Sequence, residues 1–77
     1  MAVKAYVLIE TEVGKTSEVA QSVAKVEGVK SADTVTGSYD IVATIEVAGL
    51  DAVGDAIKKL HSVPGTCKTT TLVAVKY

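Results

Sequence analysis

Val35-Thr36-Gly37-Ser38-Tyr39-Asp40-Ile41-Val42-Ala43-Thr44-Ile45-Glu46-Val47 is the stretch on which the fold turns. Two β-type runs meet at Gly37-Ser38, a link so short that the strands must run antiparallel. The upstream strand, Val29 to Thr36, is rich in Thr, Ser and Ala. The downstream strand, Tyr39 to Val47, alternates. Tyr39, Ile41, Ala43, Ile45 and Val47 form one face, and Asp40, Val42, Thr44 and Glu46 form the other.

On both sides of this hairpin the period changes from two to 3.6. Upstream, Val19, Val23 and Val26, joined by Ala20 and Ala24, mark a helix that Thr16 or Ser17 can cap and Gly28 can stop. Before it, Val3 to Val13 reads as a strand with Val3, Ala5, Val7 and Ile9 inward. Downstream, Asp51 caps a second helix with an apolar stripe of Val53, Ala56, Ile57 and Leu60, ended at Pro64-Gly65. Cys67 to Tyr77 is the last strand, with Thr69, Thr71, Val73, Val75 and Tyr77 on one face. The order is β-α-β-β-α-β, the split βαβ of the ferredoxin-like α+β fold, with a four-stranded antiparallel sheet. Residues 1–77 form a single domain.

Two helices cover one side of such a sheet. The other side would hold Tyr6, Leu8, Val42, Thr44, Leu72 and Ala74. A half-solvated sheet should be polar there, and an apolar patch of this kind marks an interface. A chain of 77 residues buries only about 60% of its unfolded surface, so its core alone is marginal. With one cysteine, Cys67, disulfides cannot supplement it. Self-association through this face, giving a closed two-chain barrel, is therefore expected.

Composition narrows the function. Net charge is -1, and Arg is absent, which argues against nucleic acid and anionic membrane surfaces. No apolar stretch approaches the roughly 20 residues of a spanning helix, and no signal-peptide pattern appears, so a cytoplasmic protein is expected. Gln appears once and Asn not at all, beside plentiful Lys and Glu, a lean towards a thermophilic source. Phe and Trp are also absent. His61 is the only histidine and falls at a helix C-terminus, a structural place for a cation. Neither a metal site nor a cofactor is expected. A Cys67/His61 nucleophile pair lacks an orienting acid.

Gly37-Ser38-Tyr39-Asp40 carries two readings. In one it is a turn, Gly supplying positive φ and Asp a local backbone bond. In the other, Gly lets a ligand approach the backbone and Asp40 receives an ammonium group.

Val35-Thr36-Gly37-Ser38-Tyr39-Asp40 resembles the vtG-x-yD signature of the effector-binding (RAM) domain of the Lrp/AsnC regulators. Pro64-Gly65-Thr66-Cys67-Lys68-Thr69-Thr70-Thr71 is similar to that domain's PG-x-x-x-T-x-T run. The resemblance covers essentially the whole chain. It implies a homodimer with face-to-face sheets (a dimeric α/β barrel), assembled further into a ring of dimers such as an octamer. It also implies an amino-acid or similar effector at a subunit interface near Gly37, Ser38, Tyr39 and Asp40, with Thr69 and Thr71 carried over from the second motif. Family regulators place a helix-turn-helix domain first, whereas the first strand here begins within a few residues of Met1. The expectation is a stand-alone, non-enzymatic sensor that acts alone or modulates a full-length Lrp/AsnC regulator. Two other readings share the strand order. One is a small dimeric barrel enzyme, monooxygenase- or isomerase-like, which needs a convergent polar set between helices and sheet. The other is an ACT-like amino-acid sensor, whose contacts cluster at the first strand–helix loop.

Overall fold

A computed structural model describes residues 2–75. The elements are β1 (Val3–Thr11), α1 (Thr16–Ala24), β2 (Val29–Thr34), β3 (Ile41–Val47), α2 (Leu50–His61) and β4 (Thr66–Val73). The four strands form one antiparallel sheet in the order β2-β3-β1-β4. The expected βαββαβ fold is thus observed, with β1 and β3, the most regularly alternating strands, at the centre.

The central register follows from burial. Ala5, Val7 and Ile9 stand opposite Ile45, Ala43 and Ile41, and all six are fully buried. A slip of one residue would turn every one of them to the other side. Val19 and Val23 of α1 and Val53, Ala56 and Leu60 of α2 close over them, so among the described residues all the buried side chains are aliphatic. Ile57, expected in the buried stripe, is half-buried at its margin.

The element ends differ from the sequence expectations. β1 stops at Thr11, β2 at Thr34, and β3 starts at Ile41, so the hairpin link is Val35 to Asp40 and not Gly37-Ser38 alone. The cause lies at Asp40. Its N–H donates to Ile9 O (2.9 Å), while its C=O accepts from Val35 N–H (2.9 Å). A regular strand residue points both groups the same way, so strand geometry cannot continue through Asp40. Tyr39 therefore lies half-buried in the link, outside the strand. At the other end β4 stops at Val73, and Lys76 and Tyr77, assigned to it from sequence, lie outside the described residues.

Neither expected cap is used. Gly49 is the N-cap of α2, with Asp51 in its first turn, where a carboxylate still favours the dipole. Lys15 occupies the N-cap of α1 without a side-chain cap bond. The last turn of α2 carries His61, as expected, together with Lys58 and Lys59.

The face away from the helices carries the set read from the sequence. Tyr6 stands between Thr44 and Leu72, and Leu8 between Val42 and Thr70. Ala74, just past β4, donates its N–H to Lys4 O. Tyr6, Leu8, Val42 and Thr44 are half-buried by their neighbours, and Leu72 is 50% exposed. Opposite charges face each other across the strands at both ends of this band: Lys4 and Glu46 at one, Glu10 and Lys68 at the other. The Lys4 ammonium also lies 5.4 Å from the Tyr6 ring centre, a cation–π distance.

Gly28 follows α1 at φ +94, and a Cβ there would come within 2.8 Å of Val47 Cγ1. Gly14 has a similar φ of +81 with open space around it. Gly28→Ala is expected to cost about 2–4 kcal/mol, combining left-handed strain with overpacking, whereas Gly14→Ala costs only the strain, about 1–2 kcal/mol. Urea denaturation of both variants measures the difference.

Candidate functional site

At the end of the sheet where β1 finishes and β3 begins, three connections meet: the β1–α1 loop (residues 12–15), the β2–β3 link (residues 35–40) and the α2–β4 turn around Pro64-Gly65. Backbone bonds join them. Glu12 N–H donates to Gly65 O (2.8 Å), and Asp40 N–H to Ile9 O (2.9 Å). Gly65 has φ +97, and a Cβ on it would lie 2.8 Å from Val19 Cγ2 and 3.1 Å from Lys15 Cβ. Only glycine allows the turn to approach α1 this closely.

Asp40 holds the centre of this corner. Its Oδ2 accepts the Thr11 backbone N–H at 2.8 Å and the Thr11 hydroxyl at 3.2 Å. The Thr11 hydroxyl is itself 2.7 Å from the Thr16 hydroxyl. A carboxylate only accepts, so the single Thr11 proton goes to Asp40, and Thr16 donates to Thr11. The resulting chain runs from α1 through β1 to the β2–β3 link. Among the described residues Asp40 Oδ1 accepts no hydrogen bond. The local backbone bond weighed for Asp40 is not what forms; its partner is Thr11, 29 positions away in the chain.

The other residues marked from the sequence are distributed around this corner. Gly37 has φ +120, with nothing within 4 Å of a would-be Cβ. Its requirement is conformational, and the space beside it is open. Ser38 is exposed, and Tyr39 is half-buried next to Asp40. Thr69 and Thr71 lie on β4 opposite Ile9 and Val7, and so share the helix-side face. β1 separates them from β3, a distance of two strand spacings or about 10 Å. Within one chain the structure brings Gly37–Asp40 together, with Thr69 and Thr71 at a remove. Thr69 instead borders an open groove of about 560 Å³ lined also by Gly54, Asp55, Ile57, Lys58, His61 and Ser62.

Thr11 and Thr16 were not marked from the sequence. Thr11 falls inside the expected strand Val3 to Val13 and Thr16 is a candidate cap, and nothing local signals a bond to a residue beyond a helix and a strand. Cys67 and His61 are both exposed. No group of three or more His, Cys, Asp or Glu that could hold a metal ion occurs among the described residues. No helix among them is long and apolar enough to cross a membrane.

The family model for the Lrp/AsnC ligand binding domain matches residues 4–77. The HTH-type transcriptional regulator FL11 of Pyrococcus horikoshii is 31% identical over 72 residues, covering 94% of this chain and 48% of the regulator. The chain thus spans about half the length of the curated relatives it matches. Among solved structures, TTHA0845 from Thermus thermophilus is 26% identical with a TM-score of 0.91, covering 97% of this chain and 95% of that one. The transcriptional regulator NMB0573 of Neisseria meningitidis, solved as its L-Met complex, is 21% identical with a TM-score of 0.83, covering 96% of this chain and 50% of that one. At that identity it bears on the fold alone.

Asp40→Ala leaves the Thr11 N–H and hydroxyl without their acceptor, and is expected to destabilise the fold by about 1–3 kcal/mol. Asp40→Asn keeps an oxygen for Thr11 and should cost much less. Thermal melts of the two variants separate these outcomes; equal losses would show that the bond to Thr11 does not hold the corner.

Proposed function

Since this chain belongs to the Lrp/AsnC ligand-binding domain family, we propose that it is a sensing module that binds an amino acid beside the Gly37–Asp40 link and self-associates through its uncovered sheet face. The observation that carries the binding half is the division of labour on Asp40. One oxygen is occupied by Thr11, and the other is left as a fixed anionic acceptor. An α-ammonium group suits such an acceptor, because a charge-assisted bond to a pre-oriented carboxylate is strong and loses little ordering entropy. Gly37 leaves its backbone open beside it, and Tyr39 supplies a wall. Thr69 and Thr71 would join from a neighbouring subunit, being too far within one chain.

The uncovered face supports the assembly half. Its band of Tyr6, Leu8, Val42, Thr44, Leu72 and Ala74 is bounded at each end by one positive and one negative side chain. A second copy presents the same band and the same charges, so two sheets can meet face to face as a homodimer. Dimers of this kind would assemble further into a ring, and the effector would sit where dimers meet. The L-Met bound by the Neisseria regulator makes methionine the first effector to try. The aliphatic interior between helices and sheet and the regulator names of the curated relatives support sensing over catalysis. A full-length Lrp/AsnC regulator is the proposed macromolecular partner.

Calorimetric titration tests the effector. L-methionine or another standard amino acid is expected to bind the wild-type protein. Saturation at 100 times Kd would add about 2.7 kcal/mol of stability, or roughly 10–20 °C in Tm for a domain this small. Asp40→Asn should bind at least tenfold more weakly. Silence from all twenty amino acids would sink the effector assignment. For the assembly, Val42→Lys should convert a dimer or larger species into a folded monomer by light scattering; a wild-type monomer at micromolar concentration would refute it.

A further inference from the structure

Resting on the effector site just described, we propose that Thr11 and Thr16 are positioning residues for it: Thr11 engages Asp40 Oδ2 and Thr16 orients the Thr11 hydroxyl, so that Oδ1 alone is presented to the effector's ammonium group. An aspartate carboxylate turns about a broad, nearly two-fold torsion, so its two oxygens are interchangeable unless something distinguishes them. Here two donors converge on one oxygen. The Thr11 N–H at 2.8 Å is fixed by the end of β1. The Thr11 hydroxyl at 3.2 Å is a rotor and by itself could swing away. Thr16 removes that freedom. Its hydroxyl, 2.7 Å from Thr11 Oγ1, supplies the proton that Thr11 accepts, which directs the Thr11 proton to Asp40 and polarises it.

A local rule is broken at the same place. The start of α1 offers Thr16 and Ser17, yet the helix has no side-chain cap bond, and the Thr16 hydroxyl is turned to Thr11 instead. Departures from local preference gather at functional sites. The network also joins three separate stretches of chain, the start of α1, the end of β1 and the β2–β3 link. Contact with the effector at Asp40 is thereby felt at the first turn of a helix that contributes no atom to the ligand.

L-methionine, and singly each of the other standard amino acids, is titrated into wild-type protein, Thr16→Val, Thr16→Ser, Asp40→Asn and the Asp40→Asn/Thr16→Val double variant, with melting temperatures measured in parallel. Thr16→Val is expected to raise Kd about tenfold, or about 1.4 kcal/mol, with little change in Tm. Thr16→Ser, which keeps the hydroxyl, restores wild-type affinity. In the Asp40→Asn background, Thr16→Val adds less than a twofold change, because no carboxylate remains to be oriented. Should Thr16→Val fail to fold, Thr16→Ala carries the same comparison. Unchanged affinity in Thr16→Val, or effects that multiply in the double variant, overturns the positioning role while leaving the effector site standing. A wild-type protein that binds none of the twenty overturns both.

Discussion

Two short helices cannot cover both faces of a four-stranded sheet, and this shortage of covering material shapes the rest of the molecule. α1 and α2 close over Ala5, Val7, Ile9, Ile41, Ala43 and Ile45 and make one aliphatic core. The same alternation that builds that core delivers Tyr6, Leu8, Val42 and Thr44 to the other side. A small domain gains most of its stability from the fraction of surface it buries. Leaving an apolar band uncovered therefore favours any arrangement in which a second sheet covers it. In the proposed dimer the charged pairs at the ends of the band would limit how far that second sheet could slide.

The second organising feature is the corner where β1 turns into α1. Two stretches of sequence far apart in the chain clasp it from different sides. Asp40 reaches Thr11 from the β2–β3 link, and Gly65 O receives Glu12 N–H from the α2–β4 turn. The motifs around Gly37–Asp40 and Pro64–Thr71 thus share one structural purpose before any ligand is considered. They also dissolve a distinction that looked sharp in the sequence. Contacts at the first strand–helix loop and contacts at the hairpin belong to different kinds of sensor, yet here the hairpin carboxylate is bonded to Thr11 at the start of that loop and, through the Thr11 hydroxyl, linked to Thr16 at its end.

How much was legible followed from what is local. The period-two alternation in residues 3–9 and 41–47 placed every core and open-face residue of β1 and β3 on its proper side, since burial leaves no freedom of register. Gly37 and its positive φ were likewise legible from residue type. The strand ends were not. Whether β3 starts at Tyr39 or Ile41 depends on Asp40 donating to Ile9 O, a bond between positions 31 apart. The caps failed for a related reason: Thr16 is an acceptable capping residue, and only the fold reveals that Thr11 claims its hydroxyl. Ile57 fell at the edge of α2's stripe, where helical spacing alone does not separate buried from half-buried.

The aliphatic core has an optical corollary. With no Phe or Trp in the chain, the near-ultraviolet chromophores of the described residues are Tyr6 on the open sheet face and Tyr39 in the β2–β3 link. Neither lies in the interior. Among the described residues the interior is spectroscopically dark, and Tyr6 and Tyr39 stand on the two surfaces to which function is proposed. The fluorescence and near-ultraviolet dichroism of Tyr6 and Tyr39 would consequently report on those surfaces directly and say little about the packing beneath them.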